Sequence, residues 1–155
     1  MIKKVLIIFS NIDYKIRRIN ESDLEEIANL YMLFWNDRMN LPKMKQKLAE
    51  LSKNSNYIFL CAEKEGKVIG TIQGIICEEL YGECVPFLVM ENFIVHEDYR
   101  ARGVGRNLLN ELEKIGKENN CSQIIFITET DREETVKFYE KVGFNSESHK
   151  GFKNR

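Results

Sequence analysis

The sequence predicts an α/β (α+β) fold, a mixed and mostly antiparallel sheet with helices on both faces. Two observations on order lead there. Three strand-like runs, Tyr57–Lys64, Val68–Ile76 and Val85–Val95, follow one another with only short breaks, as antiparallel neighbours do. A strand, an amphipathic helix and another strand then follow, which reads as a β-α-β crossover. A third observation bounds the size. The 155 residues are 43% hydrophobic and 30% charged, enough apolar material for one soluble core. No repeat, low-complexity segment or Pro/Gly-rich linker interrupts residues 1–155, so a single domain is expected.

The elements follow in chain order. Val5–Phe9, after Met1-Ile2-Lys3-Lys4, is too short an apolar run for a signal peptide and has no small-residue cleavage site behind it. Residues 1–12 are expected to form an extra strand or an ordered tail. Tyr14–Ile19 alternates as a strand. Ser22-Asp23-Leu24-Glu25 has the S-x-x-E spacing of a capping box. Leu24, Ile27, Ala28, Leu30, Tyr31 and Phe34 then recur at helical spacing. A second helix over Leu41–Lys53 has Pro42 in its first turn.

Glu65-Gly66-Lys67 turns the first hairpin. Val104, Leu108, Leu109, Leu112 and Ile115 form one apolar helix stripe. Gln123–Thr128 reads as a buried strand. A last helix spans about Glu133–Val142, and Gly143 behind it suits a left-handed cap. Phe144–Lys153 is expected to add one or two strands.

Composition excludes several function classes. Lys plus Arg (23) balances Asp plus Glu (24), without the basic surplus of a nucleic-acid binder. Cys61, Cys77, Cys84 and Cys121 contain no C-x-x-C pair, and there are only two histidines, so no metal site is expected. Reduced, mostly buried thiols fit a cytoplasmic protein. No stretch reaches transmembrane length, so no membrane partner is expected.

The chemistry concentrates in Glu91-Asn92-Phe93-Ile94-Val95-His96-Glu97-Asp98-Tyr99-Arg100-Ala101-Arg102-Gly103-Val104-Gly105-Arg106. This is a strand, a polar loop and a glycine-bearing helix start. Glycines let the backbone approach an anion, and the first amides of a helix have no internal partner. Arg100, Arg102 and Arg106 add positive charge at the same point. The arrangement points to a phosphate or pyrophosphate site, although two glycines before a helix can also be plain turn chemistry. A dinucleotide fingerprint fails because Leu108 stands where its third glycine belongs and the loop is too long. A P-loop fails because no Gly-Lys-Ser/Thr follows.

Arg100-Ala101-Arg102-Gly103-Val104-Gly105 resembles the R/Q-x-x-G-x-G/A signature of the GNAT N-acetyltransferase superfamily. Thr135-Val136-Lys137-Phe138-Tyr139-Glu140-Lys141-Val142-Gly143-Phe144 resembles that family's second signature, in the right order and at the right spacing. The resemblance covers about residues 14–153, and Tyr81–Gly151 is most similar to the polyamine (spermidine/spermine) acetyltransferases. It implies the GNAT acyl-CoA N-acyltransferase fold and transfer of acetyl from acetyl-CoA to an amine in a ternary complex.

The resemblance also assigns residues. Phe93, Ile94 and Val95 would pair with the pantetheine arm as an added strand. The loop from Arg100 and Ala101 through Arg102, Gly103, Val104, Gly105 and Arg106 would hold the pyrophosphate. Thr135 falls in the second cofactor-binding segment. Arg132 stands where relatives often carry an Asn that contacts the cofactor; it could reach a phosphate instead, with Asp131 as the helix cap. Tyr139 matches the general acid that protonates the departing thiolate; the alternative is a helix-face aromatic in the core. Glu91 matches a carboxylate proposed as base in several relatives; the alternative is a surface carboxylate paired with Lys or Arg. His96 is expected to be solvent-exposed, and His149 structural or on the substrate side.

The acidic turn Glu78–Glu83 would suit a cationic acceptor such as a polyamine, an aminoglycoside or a protein lysine; it could equally be a solvated hairpin. A non-catalytic acyl-CoA-binding module is the rival function on the same fold. Dimers are common in the family, which admits a homodimer paired through Val5–Phe9.

Overall fold

A computed structural model describes residues 13–129 and 131–154; the expected strand or tail over residues 1–12 lies outside them. The chain divides into two compact units, one ending at Ile124 and the other beginning at Ile125. The first contains β1 (Lys15–Arg18), α1 (Leu24–Trp35), α2 (Leu41–Leu51), β2 (Tyr57–Lys64), β3 (Lys67–Cys77), β4 (Phe87–Val95) and α3 (Val104–Glu118); its last residue, Ile124, opens the two-residue β5 (Ile124–Ile125). The sheet order is β1-β2-β3-β4-β5, and the first three pairings are antiparallel. The chain reaches β5 through α3, giving the mixed sheet that the element order predicts.

The hairpin between β2 and β3 turns on Glu65 (φ 51°) and Gly66 (φ 80°), both left-handed, as in the primed turns whose twist matches paired strands. β3 is the floor on which α3 rests. A Cβ on Gly74 would stand 2.5 Å from Leu112 Cδ1 and 3.4 Å from Leu88 Cδ2. A Cβ on Gly70 would meet the Ile94 carbonyl at 3.0 Å and Leu108 Cδ1 at 3.1 Å. Two glycines four residues apart share one face of the strand, so the leucines of α3 reach down to its backbone. Val104, Leu108, Leu109 and Leu112 are all fully buried there.

The opposite face carries a second cluster. Leu24 and Ile27 of α1 pack with Cys61 and Val68, and Leu41, Met44 and Leu48 of α2 close over them. The helices of this unit therefore lie on both faces of the sheet.

The entry to α1 differs from the S-x-x-E expectation. The capping box is Asn20-Glu21-Ser22-Asp23, two residues earlier: the Asn20 side chain accepts from Ser22 N at 2.9 Å, and the Asp23 carboxylate accepts from Asn20 N at 2.8 Å. Arg17 decides the shift. Its guanidinium donates to both Asp23 oxygens at 2.7 and 2.8 Å and to Glu63 Oε2 at 2.7 Å, which ties β1, the turn and β2 together. Asp23 is buried, and the Arg17 hydrogen bonds hold its carboxyl below the usual carboxylate range.

All four cysteines are free thiols. Cys61 is buried, which pushes its pKa up to about 11, whereas Cys84 is exposed.

The second unit holds α4 (Glu133–Lys141) and an aromatic cluster. Phe126 lies 4.3 Å from Tyr139 and 4.9 Å from Phe144, centroid to centroid. Gly143 (φ 107°) ends the helix as its sequence position suggests: Gly143 N donates to Glu140 O at 3.1 Å, and Phe144 N to Tyr139 O at 3.0 Å. This is a Schellman motif, and the Phe144–Tyr139 ring contact is its usual apolar accompaniment.

Three expectations fail around this unit. The strand over Gln123–Thr128 shortens to Ile124–Ile125, and Ile125 and Ile127 are exposed rather than buried. Asp131 does not cap α4; Arg132 takes the cap position, with no side-chain cap bond. The tail through Lys153 forms no strand among the described residues, because Asn145 Oδ1 folds it locally by accepting from Glu147 N and Ser148 N at 2.8 and 3.2 Å.

Two stability predictions follow from this packing. Leu112→Ala should lower the unfolding free energy by about 2–5 kcal/mol in urea titration, through the cavity it opens over Gly74. Because the Asp23 pKa is lowered on folding, its contribution is present above the unfolded carboxylate value of about 3.9 and is lost as pH falls below it. Stability should therefore decline from about pH 5 to pH 3, and Asp23→Asn should flatten that decline; equal slopes for the two proteins would contradict it.

Candidate active site

β4 carries an extra residue in its middle. Thr71 pairs with Ile94 and Gln73 pairs with Glu91, so two steps on β3 match three on β4. The insertion is a β-bulge at Asn92, whose φ of 49° is left-handed. Asn tolerates this region better than most side chains. Thr71 Oγ1 donates to Asn92 O at 3.2 Å, and Asn92 Nδ2 donates to Gln73 Oε1 at 3.0 Å. The bulge changes the strand's phase, so Glu91 and Ile94, three residues apart, face the same side.

The loop after β4 brings the predicted anion residues together. His96 closes a 3-10 turn over Glu97–Tyr99, with Nδ1 accepting from Asp98 N at 3.3 Å. It is half-buried against Tyr99, not solvent-exposed as expected, because this turn takes up its ring. Arg100 Nε donates back to Val95 O at 3.0 Å, stapling the loop to the end of β4. Ala101 (φ 56°) and Gly103 (φ 85°) are left-handed, and Gly103 is the N-cap of α3.

The first helical bond of α3 is Asn107 N to Gly103 O, at 3.0 Å. The amides of Val104, Gly105 and Arg106 thus precede the ladder, with no side-chain cap and no acidic residue in that turn. Arg102 and Arg106 are exposed beside them. Such an end attracts an anion through its amides and through the helix dipole. An open hollow of about 760 Å³ flanks the same loop on its β1 side, lined by Tyr14, Ile16, Arg102, Gly103, Asn107, Asn110, Glu111 and Lys114.

Glu91 is exposed and makes no ion pair among the described residues. Its partner Gln73 pairs in turn with Phe59, so the three form a row across the sheet on the face that carries α1. Tyr57 stacks on Phe59 at the end of that row, with centroids 6.4 Å apart. The face is half-buried, aromatic, and ends in one carboxylate.

In the second unit, burial pushes the Tyr139 phenol up to about 12. The Schellman motif at Gly143 fixes its backbone, and Phe126, Phe138 and Phe144 surround its ring. Arg132 Nε pairs with Glu129 Oε2 at 2.9 Å, and Arg132 O accepts from Thr135 N at 3.0 Å. Among the described residues no helix is long and apolar enough to cross a membrane, and no group of three or more His, Cys, Asp or Glu could hold a metal ion.

The chain matches the Acetyltransferase (GNAT) family over residues 24–144 and belongs to it. It is an acetyl-CoA-dependent acetyltransferase. Acetyltransferase SG1711 of Sodalis glossinidius (strain morsitans) is 28% identical over 138 residues, 84% of this chain and 86% of that protein. The fold is shared with a transcriptional regulator from Bacillus halodurans C-125 (TM-score 0.84, 24% identity, 92% of this chain and 99% of that one). It is also shared with aminoglycoside N-acetyltransferase AAC(6')-Iy in complex with CoA (TM-score 0.77, 20% identity, 92% and 95%).

Sequence reasoning missed Thr71 and Gln73 altogether and passed over the backbone role of Asn92. One signal was available: Asn92 is a poor strand former inside an apolar strand, directly after Glu91. For the loop, Gly103→Ala would force a Cβ into a left-handed cap. It should cost about 1–2 kcal/mol in urea titration even though open space surrounds the site. An unchanged unfolding midpoint would show that the loop relaxes.

Proposed function

We propose that this acetyltransferase acts on a primary amine of a cationic small molecule, such as a polyamine, by direct attack in a ternary complex. The observation that carries the acetyl-CoA half is the left-handed Gly103 cap, which turns the unladdered amides of Val104–Arg106 outward at the end of β4. These amides, with Arg102 and Arg106, take the pyrophosphate. The β4 backbone at Phe93, Ile94 and Val95 takes the pantetheine arm. Arg100 serves the site by stapling the loop, with Ala101 in its turn. Thr135 and Arg132 are proposed cofactor contacts on the strength of the family signature.

The cationic half is supported by Glu91 at the end of an aromatic sheet face, since an ammonium is attracted both to a carboxylate and to ring faces. An alkylammonium, with a pKa of about 10.4, must lose a proton before it attacks. Glu91, directly or through water, accepts that proton or holds the cation in place. The amine nitrogen then bonds to the thioester carbon, the oxyanion forms against β4 amides, and the C–S bond breaks. Tyr139 gives its proton to the thiolate. Its pKa of about 12 keeps the phenol protonated at every pH where the enzyme would work.

A thiol-release assay with acetyl-CoA and a panel of polyamines, aminoglycosides and lysine peptides tests the acceptor. Polyamines should turn over fastest; turnover confined to another class would overturn the choice. Tyr139→Phe should lower kcat by about a hundredfold or more. The wild-type rate should rise with pH as the amine deprotonates and show no alkaline loss from Tyr139 below about pH 11, since the acid form is lost only near 12. Normal turnover by Tyr139→Phe near neutral pH would remove the acid role.

A further inference from the structure

We propose that Thr71 and Gln73 of β3 are positioning residues for acetyl transfer: together they clamp the β4 bulge and so set the direction of the backbone from Phe93 to Val95. The inference rests on the acetyltransferase reading above and adds two residues to it.

The argument starts from the bulge itself. A left-handed residue in mid-strand breaks the ladder and is held only where its surroundings determine it. Here two side chains do so from neighbouring positions on one face of β3. The Thr71 hydroxyl donates to the Asn92 carbonyl at 3.2 Å, and the Gln73 amide oxygen accepts from the Asn92 side chain at 3.0 Å. Backbone and side chain of the same residue are therefore tied to the same strand. Thr71 is itself only 3% exposed and lies opposite the fully buried Cys61, so the clamp is anchored in the packed layer beneath α1.

Downstream, Arg100 Nε takes the Val95 carbonyl at 3.0 Å. The three residues proposed to meet the pantetheine arm thus lie between two fixed points, Asn92 at one end and Val95 at the other. A thioester must meet its main-chain donors within a few tenths of an ångström, and misplacement by about 1 Å can cost on the order of a hundredfold in rate.

The clamp predicts a specific pattern. Thr71→Val keeps the shape and removes the donor. It should lower kcat about ten- to a hundredfold, while CoA affinity changes by less than about threefold because the loop from Arg102 to Arg106 is untouched. Thr71→Ser should restore the wild-type rate, which a purely packing role for the methyl group would not allow. Gln73→Leu cuts the second tie at a half-buried position and keeps the test open if Thr71→Val does not fold. Amide hydrogen exchange of the ligand-free proteins supplies a readout besides activity, with faster exchange expected from Asn92 to Ile94 in both variants.

Unchanged exchange, a wild-type kcat in both variants, or equal losses for Thr71→Ser and Thr71→Val would each overturn the clamp. Absence of acetyl transfer by the wild-type protein with every amine would instead overturn the reading on which it rests, and the catalytic role of the clamp with it.

Discussion

The first unit depends on how closely α3 approaches β3. Gly70 and Gly74 leave a strip of strand without side chains, and Leu108 and Leu112 occupy the space that Cβ atoms would need. The helix is therefore located by contact with backbone, which does not change rotamer. Its position along the strand fixes where its first turn lies. Leu108 sits over Gly70, next to the Ile94 carbonyl, so the first turn of α3 is registered against the outer half of β4. The glycines that seat the helix and the glycine that caps it serve different ends: the former permit close approach, the latter a left-handed turn.

Around that seat, the polar groups with stringent geometry are handled locally. Arg17 gathers Asp23 and Glu63 where β1, the turn into α1 and β2 meet. Arg100 returns to the end of β4, and Asn92 is held from β3. Each tie joins a side chain to a place where the backbone departs from regular structure. Among the described residues no buried side-chain nitrogen or oxygen lacks a hydrogen-bond partner, as expected for a unit whose departures from ladder and helix are compensated.

Much of this was legible in the sequence. The strand and helix periods placed every element of the first unit within a few residues, because burial on one face repeats along the chain. Gly143 and the Gly103 loop were readable because few residues other than glycine suit their backbone. What escaped notice depended on contacts that the local periods do not encode. Ser22 has cap chemistry, but Arg17 makes Asp23 the reciprocal partner and Asn20 the cap. Ile125 and Ile127 are apolar, yet apolar residues are common on surfaces and do not by themselves make a strand. The Asn92 bulge needs Thr71 and Gln73 across the ladder, and no local pattern announces them.

The four thiols differ in a way that matters at the bench. Cys61 is enclosed and its thiolate is disfavoured near neutrality, while Cys84 projects from the turn ahead of β4 with a left-handed backbone. Maleimide chemistry near neutral pH should therefore favour Cys84 over Cys61, placing a fluorophore on the turn that leads into β4. The same thiol would react with any sulfhydryl dye used to follow coenzyme A release, so a Cys84→Ser background is the natural starting point for that measurement.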